Sequence, residues 1–126
     1  MRFTVTMKRN NRDMRIASDP KLMLEVGKFS QEMIRAGVVV ATGGIASKGT
    51  VITAVNGDLT TTDGPYAEAK EVIAGWVVLE VKSKAEAVAI AARFMKIHQD
   101  VLGAGWEGEA EILQVFGPED FGPTFN

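Results

Sequence analysis

The stretch "TDGPYAEAKE", residues 62–71, sets an acid, a turn pair, a phenol and three further charges within ten residues. The Asp63 carboxylate can accept from N–H groups two or three residues on. Pro65 fixes the next φ, and Glu68 falls in the first turn of any helix that starts there, where negative charge is favoured. On this reading the stretch caps one short helical turn, worth about 1 kcal/mol. The same geometry also presents free N–H groups, the Lys70 ammonium and the Tyr66 hydroxyl, a set that can hold a small anion or carboxylate. Asp63 could act as a proton acceptor if burial raised its pKa well above about 3.9. The candidate ligand-binding residues are therefore Asp63, Gly64, Pro65, Tyr66, Lys70 and Glu71, with Trp76 as an apolar wall, and Asp63 is the candidate catalytic residue. Binding, acid-base catalysis and simple stabilisation of an interface all stay open from these residues.

Other residues offer less chemistry. His98 is the only histidine and shares a helical stripe with Ala87, Ala91 and Phe94. It reads as a core-edge or interface-edge residue bonding a carbonyl. No carboxylates stand near it at ligand spacing, so no metal site is expected. Cysteine is absent, which excludes disulfides, thiol catalysis and thiolate-bound zinc. Gly43-Gly44 could let a backbone approach a ligand, but a bend or bulge is the commoner reading. The GxxxxG spacings lack a Gly-Lys-Ser/Thr ending, so no phosphate loop is supported, and no organic cofactor is demanded.

The elements that must position these residues follow from size and patterning. A chain of 126 residues with 46% hydrophobic and 24% charged residues can bury one core, so a single domain over residues 1–126 is expected. Its net charge of −2 has no basic block, which argues against nucleic acid as a direct ligand. No apolar run approaches the roughly 20 residues that span a bilayer, and the start lacks the pattern of a signal peptide, so a cytoplasmic protein is expected.

"RFTVTMK" alternates, with Phe3, Val5 and Met7 opposed to Thr4, Thr6 and Lys8, which predicts a half-buried strand. Ser18 or Asp19 followed by Pro20 opens a helix whose stripe is Leu22, Val26, Phe29 and Met33, ending at Gly37. "VVVATGGI" predicts a second strand. Asn56-Gly57 between two strand-like runs predicts a hairpin, because both central residues of a primed turn need positive φ. "GWVVLEVK", residues 75–82, alternates again. Ser83 and Glu86 stand at capping-box spacing before a long helix, "EAEILQVF" supplies a last strand, and residues 116–126 read as an irregular tail.

The order strand, helix, strand, hairpin, strand, helix, strand predicts an α+β, ferredoxin-like split βαβ domain with an inserted hairpin. Two helices cover one sheet face only. The other would carry Thr4, Thr6, Trp76, Val78 and Glu80, too apolar for water alone, so a homodimer with sheets face to face is expected.

With the residues placed, "DGPYAEAKE" resembles the "DGPFAETKE" signature of the DGPF group within the YCII-related (YciI-like) family, with Tyr66 for Phe and Ala69 for Thr. "AGVVVATGGI", "GWVVLEVKSKAEAVAIAARF" and "EAEILQVFGPEDFG" also sit in family order, so the resemblance covers nearly the whole chain. It implies a ferredoxin-like fold that dimerises into an α/β barrel. It also implies a link, for some members, to extracytoplasmic-function sigma factors. Related proteins carry a His-Asp pair suspected of catalysis, whose histidine on the first helix has no counterpart here. The expectation is a small dimeric protein that binds a small polar or anionic molecule near the DGPY turn, with acid-base chemistry at Asp63 if it is an enzyme. The alternative is a non-catalytic interaction module with a partner in a sigma-factor pathway.

Overall fold

A computed structural model of the protein describes residues 1–10, 19–46, 48–64 and 71–122. Strand β1 (Arg2–Asn10) leads to helix α1 (Pro20–Arg35) and strand β2 (Val39–Gly44). Strands β3 (Thr50–Val55) and β4 (Asp58–Asp63) form a hairpin, followed by β5 (Glu71–Glu80), α2 (Lys84–Leu102), β6 (Gly108–Val115) and a 3-10 turn (Pro118–Phe121). The main sheet runs β2-β5-β1-β6, antiparallel throughout, while β3 and β4 form a two-stranded sheet of their own. Two interleaved βαβ units with β1 and β5 at the centre make the ferredoxin-like α+β arrangement read from the element order.

Local chemistry explains the helix ends. The Asp19 carboxylate accepts from the Leu22 N–H at 2.9 Å, and Pro20 takes the first position of α1, where its missing donor is no loss. Gly37, at φ 75°, then turns the chain toward β2. At α2, Ser83 Oγ accepts from the Glu86 N–H at 3.2 Å. The Glu86 carboxylate reaches past the cap to accept from the Lys82 N–H at 3.0 Å, a variant of the box that the spacing predicts.

The core lies between the helices and one face of the sheet. Phe3, Val5, Leu79, Val81, Ala87 and Ala91 are all buried there. Each large side chain contributes about 1.5–3 kcal/mol by leaving water. The opposite face carries Thr4, Thr6, Trp76 and Val78, and β6 adds Glu111 and Leu113 in register with Thr6 and Thr4. Leu113 is 55% exposed. Pairs such as Arg2–Glu80 at 3.7 Å and Lys8–Glu111 at 3.8 Å fringe this face, and exposed pairs of this kind contribute little.

Three features depart from the expectations. Gly43 and Gly44 do not bend the chain; they pair with Trp76 and Gly75 as members of β2, and the Trp76 indole lies where a side chain on Gly43 would stand. Strand β5 starts at Glu71, four residues before the alternation becomes clean, since its register against β1 shifts between Met7 and Lys8. The tail is not wholly irregular, for the Asp120 carboxylate accepts from the Gly117 N–H at 2.7 Å and closes the 3-10 turn.

Trp106 is 4% exposed, and among the described residues its indole N–H has no hydrogen-bond partner. An unpaired buried donor costs roughly 1–3 kcal/mol, so Trp106→Phe, which keeps a ring but removes the donor, is expected to leave the denaturation midpoint unchanged or raised. Trp106→Ala should lower stability by about 3–5 kcal/mol through the cavity it leaves. Chemical denaturation of both variants checks the pair.

Candidate functional site

The stripe of α1 does not close fully on the sheet. Leu22, Val26, Phe29 and Met33 face Val5, Met7, Val39 and Leu79 across a cavity of about 360 Å³. It runs from the β2 edge of the sheet, at Gly43, Gly44 and Trp76, inward to Phe94 and His98 on α2. The lining is almost wholly apolar, relieved by Ser30, Thr42 and His98. Small residues explain why space remains, since Gly43, Gly44, Ala74 and Gly75 meet at the border and offer almost no side-chain volume to fill it. Cavities of this size and character are the common form of small-molecule sites.

Trp76 touches that border from β5, in register with Thr6 on the sheet face that the helices leave open, and it is fixed there. Its Nε1–H donates to the Gly44 carbonyl at 3.2 Å, and Thr42 Oγ1 donates to the Trp76 carbonyl at 2.9 Å. A Cβ on Gly43 would stand 3.3 Å from the indole, so glycine there lets the ring lie against β2.

His98 belongs to a ladder of rings. Phe29 and Phe94 lie 6.2 Å apart, Phe94 and His98 4.7 Å, and His98 stacks on Trp106 at 5.1 Å. The ladder ties α1 to α2, as does Arg93, which bonds Glu32 at 2.7 Å and lies over the Phe29 ring. His98 is 1% exposed, and its Nδ1 lies 3.0 Å from the Phe94 carbonyl, four residues back on the same helix. Burial pushes its pKa below 6.5, against the smaller opposing effect of that hydrogen bond. The reading of a core histidine bonding a carbonyl is what the structure contains.

The DGPY residues sit elsewhere. Asp63 ends β4 opposite Thr50, whose hydroxyl donates to its carboxylate at 2.6 Å, and the Gly64 N–H donates to the Gly49 carbonyl at 2.7 Å. Together these bonds close the base of the β3–β4 hairpin. Asp63 is exposed, and neither it nor Gly64 lines the cavity. Pro65, Tyr66 and Lys70 lie outside the described residues, as does the expected helical turn after Asp63, and Glu71 enters only as the first residue of β5. Among the described candidates, Trp76 is the one at the cavity border. The cavity itself was missed from sequence. Its signal was a row of small residues, "ATGG" and "AG", on paired strands facing an apolar helical stripe.

The buried histidine has a pH consequence. Below about 6.5 the unfolded chain binds a proton that the folded chain resists, so stability should be level above that pH and fall as the pH drops through it. Melting temperatures between pH 8 and about 5.5 test this, and His98→Gln should flatten the slope.

No curated protein matches this chain. Solved structures that match include that of B. subtilis GlnK, 15% identical over 90% of this chain and 84% of that one, with a TM-score of 0.31. The YCII-related domain matches residues 1–102, from β1 to the end of α2. With the match spanning both helices and the strands between them, the chain belongs to the YCII-related domain family.

Proposed function

We propose that the protein is a small cytoplasmic homodimer that binds a small amphiphilic molecule, its apolar body in the cavity beneath α1 and its polar or anionic end toward the DGPY segment. The observation that carries this reading is the 360 Å³ apolar cavity bordered by an anchored tryptophan. Residues 65–70 join β4 directly to β5, and the Ala74–Trp76 stretch of β5 borders the cavity, so a polar end held there by Tyr66 and Lys70 is consistent with the chain path. The open face with Val78 and Leu113 supports a second copy packing sheet to sheet. Acid-base catalysis at Asp63 would need its exposed carboxylate covered in the assembly, by the ligand or by that second copy.

A second reading is favoured by one observation: all twelve residues of β3 and β4 are exposed, Ile52 and Leu59 at 68% and 73%. A lone hairpin is marginal in water, and this one suits a non-catalytic module whose hairpin docks on a protein, such as a sigma-factor pathway partner.

The ligand reading is tested in a Trp106→Phe background, where Trp76 is the only tryptophan left. Titration with para-butylbenzoate should change Trp76 fluorescence and raise the melting temperature. Ser30→Phe, which fills the cavity, should abolish both effects, and Lys70→Ala should weaken the acid but not its methyl ester. Absence of any response in the parent background would overturn the reading. Light scattering should give twice the 13.6 kDa chain mass, falling to one chain for Val78→Lys combined with Leu113→Lys.

A further inference from the structure

The lone histidine is a conspicuous polar group in an apolar place. Its Nδ1 faces the Phe94 carbonyl at 3.0 Å, and a carbonyl can only accept, so the ring proton sits on Nδ1. In that neutral tautomer Nε2 carries a lone pair. Among the described residues the ring makes no other hydrogen bond, while Phe94 and Trp106 pack against it and hold its orientation. An acceptor held in apolar surroundings is costly until something donates to it. His98 lines the cavity on its inward, α2 side, where the neighbouring lining residues Phe94, Ala91 and Ile90 offer no side-chain donor.

We infer that His98 is a binding-site residue whose Nε2 accepts a hydrogen bond from a hydroxyl or N–H group at the buried end of the ligand's apolar body. The inference rests on the cavity being a ligand site and adds what it selects. Neutral alcohols and phenols satisfy the lone pair. Ethers of the same shape leave it unpaired, and a carboxylate at that end would oppose it with a second acceptor. The cavity has more than twice the volume of about 150 Å³ that admits benzene, so a ring with a short alkyl chain fits within it.

The test compares para-butylphenol with para-butylanisole, which share ring, chain and oxygen, the anisole carrying a methyl group where the phenol has its donor proton. Wild-type protein should bind the phenol about tenfold more tightly, as one buried hydrogen bond against one unsatisfied acceptor implies. Because His98 is the only histidine, its ring ¹⁵N resonances are assigned without ambiguity. The phenol should move the Nε2 resonance and leave Nδ1 nearly still. His98→Phe should keep anisole binding and lose the preference. The comparison in wild type and the ¹⁵N spectrum stand alone if that variant fails to fold. Equal affinities with an unmoved Nε2 resonance would overturn the role of His98 while leaving the cavity as a ligand site. Binding of neither probe, with Trp76 fluorescence unchanged, would overturn both.

Discussion

The alternation in β1 is the constraint on which the rest depends. Phe3, Val5 and Met7 are each at most 6% exposed, and β1 is the strand that pairs with both β5 and β6. A slip of one residue against either neighbour would turn all three toward the open face and bring Thr4 and Thr6 under the helices. Register, helix docking and the outer strands are thus fixed together. The shift between Met7 and Lys8 comes where β1 leaves the helix-covered region, which is where the sheet can tolerate it.

The cavity follows from the same packing. A dense core forms where Ala87 and Ala91 let α2 settle close on Phe3, Val5 and Leu79. Toward β2 the sheet offers glycine and alanine in place of branched side chains, and α1 stands over a surface with little on it. One part of the interface between helices and sheet is filled, and the other is left open beside Trp76. The ring ladder from Phe29 to Trp106 holds the two helices at their spacing without closing that gap.

Much of the frame was legible from sequence because its signals are local. Asp19-Pro20, Ser83 with Glu86, and Asn56-Gly57 act within a turn, and the last pair has φ of 51° and 82° as a primed hairpin turn requires. Strand alternation and helical stripes gave the core face, and the element order gave the topology. The site was less legible. Gly43-Gly44 reads as a bend until a cross-strand neighbour, Trp76, is seen to occupy the space beside it. A void is a property of residues far apart in sequence, and no short motif encodes it. Asp63 drew attention by its neighbours in the chain, whereas its partner Thr50 lies across a hairpin and could be paired with it only once the register was known.

The β3–β4 hairpin leaves the protein with a division of labour between its parts. Its twelve residues are exposed, and among the described residues its strands pair only with each other, outside the main sheet. Substitutions there disturb little of the buried core, so they bear little on whether the protein folds. Selection can therefore rework this arm while the domain beneath it keeps its stability. In a chain this small, where most positions answer to a single core, that independence leaves a surface free to change in sequence without cost to the core.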